Sequence, residues 1–360
     1  MPGKTHRVFE RLLDVQAASP PMIEAMSRAD FYPHPCDTVD AIQTVTSWLL
    51  FAGDRVYKVR KPVCFWFVDA STPTKRFRLT HQEVFWSRRL ASDIYYGVAA
   101  IAFTGQRYTL IPEANPADRT RCDFAVVMRL LPRDRMLDRM VAGETVRPAE
   151  VHDLAEHLSD FHRRASIRES RLHGSAPAVA RLVIQNIQDA ERVVADSIAA
   201  AHLASMKEFS RDFLKSQERL LDRRVIHRRV RQGHGDLRCD SVSFAPEGIA
   251  IINHAESSAS RCADVISEIA SLSIDLELAG RADLADELVQ AYTRFAQDSE
   301  MAQLLPFYKC YRGVLRGRLE TLVSLQREIP LEQRILARGN ASRSFAIAHH
   351  YAEHAERQRV

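Results

Sequence analysis

Oxygen-bearing side chains crowd one stretch of the chain. GHGDLRCDSVSF, Gly233 to Phe244, and IAIINHAES, Ile249 to Ser257, together carry Asp236, Asp240, Ser241, Asn253 and Glu256. A carboxylate on a loop can accept or orient a proton in a reaction. Carboxylate, amide and hydroxyl oxygens are also the ligands that hard divalent cations take. The same residue types have plainer uses: Asp236 as a turn cap, Asp240 and Glu256 as solvated or helix-capping acids.

The elements that must hold these residues follow from periodicity. Val242 to Phe244 and Ile249 to Ile252, joined through Ala245-Pro246-Glu247-Gly248, read as a short hairpin just after Asp236. Upstream, from Val45 to about Pro132, the texture is β-rich. SWLLFAGDRVYKV reads as a hairpin turning at Gly53-Asp54, AAIAFTGQRYTLI as another turning at Gly105, and FAVVMRL as a buried strand. Phe77, Leu79, Val84, Phe85 and Leu90 fall at helical spacing and predict one helix between Lys75 and Leu90. Beyond Pro132 helices dominate: Val151, Leu154, Leu158, Phe161 and Ala165 recur at steps of three and four, and similar periodicity follows to Leu325.

These segments, taken in order, resemble the aminoglycoside phosphotransferase family, specifically an uncharacterised bacterial branch of kinase-like proteins. The resemblance rests on GHGDLRCDSVSF and IAIINHAES, with SWLLFAGDRVYKVRKPV, FAVVMRLLPRDRMLDRM and DVISEIASLSIDLELAGRADLA, and covers roughly Thr44 to Leu319. It implies an α+β, two-lobed protein-kinase-like fold with a small β-rich lobe, a larger helical lobe and a nucleotide cleft between them. The expected divisions are a leader over 1–44 with a short helix and Pro-rich loop, a nucleotide-binding lobe over 45–131, a helical lobe over 132–327 and a helical tail over 328–360.

The resemblance also assigns roles. Phosphoryl transfer asks a protein for a cation on the nucleotide phosphates, oxygens on a metal and a carboxylate on the attacking hydroxyl. Asp236 stands at the catalytic aspartate, Lys58 at the lysine that reaches the phosphates, and Glu83 at the carboxylate that pairs with that lysine. Met128, Arg129 and Leu130 stand at the connection whose backbone groups hold an adenine edge, and Asp264 at an aspartate that braces the catalytic loop. ATP is the implied nucleotide, and a hydroxyl-bearing small molecule the implied acceptor. Each residue also has a bland reading: a solvated lysine, a surface glutamate, a strand exit, a helix N-terminal acid. No glycine-rich GxGxxG loop occurs, which sets the chain apart from protein kinases.

Two positions depart from the family pattern. Ser241 stands where an asparagine ligates metal, and Asn253 where an aspartate does. One carboxylate charge at ~4 Å and an effective dielectric of ~20 is worth roughly 4 kcal/mol against a unit charge, and each ~1.4 kcal/mol lost from the transition state slows a reaction tenfold. Magnesium-dependent transfer is therefore expected to be slowed by roughly two to three orders of magnitude or more, unless Asp240 or Glu256 substitutes. The first expectation is a degenerate kinase, or pseudokinase, that binds ATP. The alternative is an active ATP-dependent phosphotransferase with Asp236 as base.

Composition narrows the remaining classes. The 360 residues are 46% hydrophobic and 27% charged, with 50 Lys and Arg against 46 Asp and Glu, a net +4. That balance belongs to an ordinary globular protein and is too mild to mark a dedicated nucleic-acid binder. The basic run Arg223 to Arg231 keeps a nucleic-acid or regulatory scaffold as a third reading, though no aromatic platform interleaves with it. Six scattered cysteines without a CxxC pair signal neither zinc nor a disulfide framework. His152, His157 and His162 wind around a helix, and His350 and His354 lack an HExxH context. With no secretory signal and no membrane-spanning apolar run, the expected location is cytoplasmic.

Overall fold

A computed structural model of the chain describes residues 20–44, 46–65, 68–111, 122–194, 197–255, 261–326, 329 and 331–357. They form two compact units. The sheet unit holds the described residues between 20 and 132 and takes back 250–255 from far along the chain.

The sheet unit runs in order α1 (Pro21–Met26), β1 (Val39–Gln43), β2 (Ser47–Ala52), β3 (Arg55–Arg60), β4 (Cys64–Phe65), β5 (Val68–Asp69), α2 (Pro73–Ser87), β6 (Tyr95–Phe103), β7 (Tyr108–Ile111) and β8 (Cys122–Arg129). Six strands make one antiparallel sheet in the order β1-β2-β3-β8-β6-β7. Strand alternation gives each face its own core. Leu50, Tyr57, Val59, Ala125 and Val127 pack on one side with Ile23 and Met26 of α1 and with Tyr32. Val56, Val98, Phe124, Val126 and Met128 pack on the other with Val84 of α2, Ala250 and Ile252. Lys58 and Arg60 follow Val56 at steps of two on β3, so they share the α2 face. Helix α2 starts on Pro73, with the Thr72 hydroxyl accepting from Lys75 N–H as its N-cap.

The segment over 1–44, expected as a leader, differs in its described part. Ile23 and Met26 are buried and Val39–Gln43 pairs with β2 as the sheet edge, so this segment is structural to the sheet. The apolar residues between its prolines carry too short a pattern to announce a strand.

The helical unit contains the described residues of 133–249 and those after 260. Its elements are α3 (Leu137–Ala142), α4 (Pro148–Arg164), α5 (Ser170–Gly174), α6 (Ala176–Val193), α7 (Ser197–Ser216), α8 (Glu218–Ile226), β9 (Val230–Gln232), β10 (Val242–Ala245), β11 (Gly248–Ile251), β12 (Cys262–Asp264), α9 (Val265–Leu278), α10 (Ala282–Ala296), α11 (Met301–Leu325) and α12 (Leu331–Arg357). Strands β10 and β11 form the hairpin read from sequence, and β11 carries the chain into the sheet unit at Ala250. Helix α9 is buried on every face from Val265 to Leu276, as a central helix must be. Helices α10 and α11 pack against it, and α12 lies along α11 and α7, burying Ala341, Phe345, Ala348 and Ala352.

The basic run is spent inside this unit. Arg224, 1% exposed, forms a two-pronged pair with Asp264 at 2.7 and 2.8 Å and a bond to Asp298 at 2.6 Å. Arg223 reaches Glu300, Arg229 donates to the carbonyls of Ala296 and Gln297, and Arg231 to that of Ala165. No helix among the described residues is long and apolar enough to cross a membrane.

Candidate functional site

In the sheet unit the chemistry centres on Glu83. Its third-turn position on α2 turns the carboxylate to the sheet, where it is 4% exposed and meets two cations from β3. Lys58 Nζ stands 3.2 Å from Glu83 Oε1, and Arg60 Nη2 donates to Oε2 at 2.5 Å. Lys58 is 5% exposed and Arg60 2%. The pair read from sequence is therefore a triad, one carboxylate between two cations.

Asn253 and His254 belong to the same unit. Asn253 sits in the left-handed region at φ 63, a conformation that asparagine tolerates better than most side chains. Its N–H donates to Tyr95 Oη at 3.2 Å, and His254 Nδ1 lies 2.8 Å from Ser87 Oγ. Burial, followed by the nearby Glu83 charge, pushes the Tyr95 phenol above its ordinary range. Tyr95 thus bonds to Asn253 and feels the charge of Glu83. Lys61, just past β3, donates to Thr44 O, and burial draws its ammonium down to about 8.

The connecting segment has part of its hydrogen-bonding capacity committed. Met128 pairs in register with both Val56 and Tyr95; Arg129 N–H donates to Ile94 O and Leu130 N–H to Asp54 O, each at 2.8 Å. The donors of Arg129 and Leu130 are not available to a nucleobase edge, contrary to the expectation for these two residues.

In the helical unit the Asp236 loop is held from two helices. Gly235 has φ 88, which costs glycine little and other residues much. Its N–H donates to Glu268 Oε1 of α9, and its carbonyl accepts from Arg312 Nη1 of α11 at 2.9 Å. Gly233 passes so close to Glu268 that a Cβ there would lie 2.3 Å from Oε1. Glu268 Oε2 also accepts from His162 Nε2 at 2.8 Å, and His162 Nδ1 lies 2.7 Å from Tyr292 Oη. Burial works to raise the Glu268 pKa, but the hydrogen bond and charge of His162 outweigh it and hold it below the usual carboxylate value. Asp236 itself is 8% exposed, and its Oδ2 is buried without a hydrogen-bond partner among the described residues.

The bracing role expected of Asp264 falls to Glu268. Asp264 instead caps its own helix, accepting from Ile266 N–H, and pairs with Arg224. Sequence reading picked the first acid of the α9 start, whereas the carboxylate that reaches the loop stands one turn further on.

Each expected metal position is set by its own surroundings. Ser241 is fully buried, its hydroxyl donating to Arg238 O at 2.7 Å and accepting from Arg238 N–H at 3.0 Å. That hydroxyl is consumed by its own turn, so Ser241 does not fit a metal ligand. Asp240 has a side chain 44% exposed and lies 3.5 Å from Arg238 Nη2. Glu256 falls outside the described residues. Among the described residues no group of three or more His, Cys, Asp or Glu is placed to hold a metal ion.

Sequence reading missed the arginines around Asp236. A small pocket of about 20 Å³ in the helical unit is lined by Asp236, Arg238, Arg312 and Arg316, with Ser271 and Ile274 on its α9 side. Arg312, Leu315, Arg316 and Leu319 recur at helical spacing on α11, a pattern that could have marked the face.

Comparison with solved structures decides the architecture. A choline/ethanolamine kinase family protein from Mesorhizobium loti superposes with a TM-score of 0.52 at 15% identity, covering 92% of this chain and 99% of that one. A thermostable mutant of aminoglycoside phosphotransferase APH(4)-Ia, in apo form, gives 0.51 at 11% identity over 86% of this chain and 94% of that one. The fold is that of the choline and aminoglycoside kinases. Among curated sequences, the uncharacterized protein Rv2004c of Mycobacterium tuberculosis is 27% identical over 319 residues, 88% of this chain and 60% of that relative. The uncharacterized protein Mb2027c of Mycobacterium bovis matches to the same extent. The chain thus spans 60% of the length of the curated relatives it matches. No family model matches it. In this kinase fold the sheet unit carries Lys58 on β3 and Glu83 on α2, and the helical unit carries Asp236.

Proposed function

We propose that the protein binds ATP through its sheet unit and transfers phosphate poorly, if at all, with magnesium. The carrying observation is the buried triad: Lys58 and Arg60 bring two positive charges to the single carboxylate of Glu83. A lysine ammonium held in place by a carboxylate is a point charge that a nucleotide polyphosphate can take as partner, with Lys58 meeting the phosphates and Glu83 fixing its ammonium. The nucleobase would use backbone groups of Met128 to Leu130 other than the Arg129 and Leu130 donors, whose bonds are already made.

The impaired-transfer part rests on the metal positions. Ser241 has its hydroxyl engaged, and Asn253 is neutral where a dication prefers an anionic oxygen. These residues do not fit a magnesium site of ordinary strength.

A second reading, an active phosphotransferase, is favoured by Asp236. Its loop is braced by Glu268 and Arg312, and one carboxylate oxygen is buried without a partner, a state with a cost unless a ligand hydroxyl fills it. In that reading an acceptor hydroxyl gives its proton to Asp236 as its oxygen bonds to the γ-phosphorus of ATP. The bond from that phosphorus to the β–γ bridging oxygen breaks, and ADP leaves with the electron pair.

A melting series tests nucleotide binding, and a transfer assay separates the two readings. ATP at ~100 times its dissociation constant stabilises by about 2.7 kcal/mol. The shift is expected with or without magnesium and is expected to vanish in Lys58→Met. No shift under either condition would refute nucleotide binding. Phosphate transfer to a panel of hydroxyl compounds that is lost in Asp236→Ala would replace the first reading by the second.

A further inference from the structure

We propose that the outer face of α12 binds a second copy of this chain, antiparallel about a twofold axis beside Gly339. Leu331, Ile335, Gly339, Ser342 and Ala346 follow one another at steps of four, four, three and four, so they form one uncharged strip along about four turns of the helix. All five are exposed, Leu331 at 66% and Ile335 at 63%.

The opposite face shows how α12 packs where it has a partner. Ala337, Ala341, Phe345 and Ala348 are buried. A Cβ on Gly313 of α11 would lie 2.8 Å from Ala348 Cβ, and one on Gly317 2.7 Å from Phe345 Cε1, so glycine lets the two helices meet closely there. Gly339 is the same residue type inside a helix, where it costs stability relative to alanine. Yet a Cβ added to it would meet nothing within 4 Å among the described residues. Arg334 Nε donates to Ser324 O at 2.9 Å and holds the start of α12 on the end of α11, so the strip is presented on an anchored helix.

The strip is complementary to itself in one orientation. Its large residues stand at the N-terminal end and its small ones at the C-terminal end. In an antiparallel pair Leu331 of one copy faces Ala346 of the other, Ile335 faces Ser342, and the two Gly339 residues flank the axis. Parallel pairing would set large on large and small on small, and would leave gaps. One edge agrees in charge. Glu332 and Arg343 are both exposed on that edge, and the same symmetry puts Glu332 of each copy beside Arg343 of the other. Leu336, 55% exposed, extends the apolar area there. On the other edge Arg338 lies near its own copy, with a side chain long enough to keep its charge in water. An isologous contact of this kind closes as a dimer. Four turns of one helix make a small interface, so the dimer is reversible.

Sedimentation velocity on the full chain, from low to high micromolar concentration, tests this. A monomer–dimer equilibrium is expected. Ile335→Arg at the large end and Ala346→Arg at the small end are each expected to weaken it at least tenfold, with the melting temperature of the dilute monomer unchanged because both side chains are exposed. Glu332→Arg is expected to weaken it as well, and adding Arg343→Glu to that chain to restore it. Lys58→Met, which tests nucleotide binding, is expected to leave association as it is. A single monomeric species at every concentration, a dimer that survives both arginine variants, or a double charge swap that restores nothing would each overturn the proposal. A chain that stays monomeric and binds phosphatidylserine vesicles in an Ile335-dependent way would assign the face to a membrane surface instead.

Discussion

At the scale of single residues, a contact was legible where two opposite charges stand in matching order and hidden where a side chain acts through its neighbours. Lys58, Glu83 and Asp236 stood out because their types fit transfer chemistry in matching order, and the ion pair is present at 3.2 Å. Arg60 was invisible as a second partner, because strand alternation says which face it shares and not that one carboxylate serves both. Removing that carboxylate takes from two buried cations the partner they share. Glu83→Gln is expected to cost about 3–5 kcal/mol in urea unfolding and to abolish the ATP shift, whereas Arg60→Met is expected to retain it. Glu268 was passed over for Asp264, since both are acids at a helix start and only the loop path distinguishes them. Its depressed pKa fixes a sign. A carboxyl whose folded value lies below its unfolded value of 4.5 adds stability that is present above 4.5 and is lost as pH falls through the folded value. Asp275 adds in the same direction: burial would raise it, yet Arg316 and Arg238 hold it well below the usual range. Urea midpoints are expected to fall from pH 5 downward at ~1.4 kcal/mol per proton and pH unit at most, and more gently in Glu268→Gln. A steeper fall in that variant would contradict the assignment.

At the scale of elements, the hairpins and the long amphipathic helices were readable because their periods are strong. The first hairpin turns at Gly53-Asp54 and the embedded one at 246–247, as their turn residues predict. Strand β1 was not readable, because an edge strand of five half-exposed residues has little apolar alternation to show. The Arg223 to Arg231 run illustrates the opposite error, since charge density in sequence resembled a surface patch. Arg224 in fact joins α8 to the start of α9 through Asp264 and to the α10–α11 connection through Asp298. Burial disfavours its charge, but the two carboxylates more than reverse that and raise its pKa. Arg224→Met strands Asp264 and Asp298 in a buried site and is expected to lower stability by about 3–5 kcal/mol. A loss under 1 kcal/mol in denaturant melts would show that the network is dispensable.

At the scale of the whole molecule, the sheet unit is not a continuous piece of chain. Ala250 and Ile252 close the α2-side core beside Val56, Val84 and Met128, while Asn253 and His254 supply partners to Tyr95 and Ser87. Composition could not reveal this, because no local pattern says that the end of a hairpin's second strand and the residues after it belong with strands more than a hundred positions earlier. The consequence is testable by truncation. A fragment ending at Pro132 retains all six strands but loses that cover and leaves the buried Tyr95 hydroxyl without the Asn253 donor. Losing two partly or wholly buried apolar side chains and one buried hydrogen bond costs about 3–6 kcal/mol, a large share of the ~5–15 kcal/mol that holds a domain. The fragment is therefore expected to keep strand content by far-ultraviolet dichroism while exchanging the amides of β6 and β8 much faster than the full chain. Adding the segment 248–255 through a flexible linker is expected to restore their protection. Equal protection in the bare fragment would mean that these residues merely rest on the sheet, and that Asn253 owes its left-handed backbone to its own turn rather than to Tyr95.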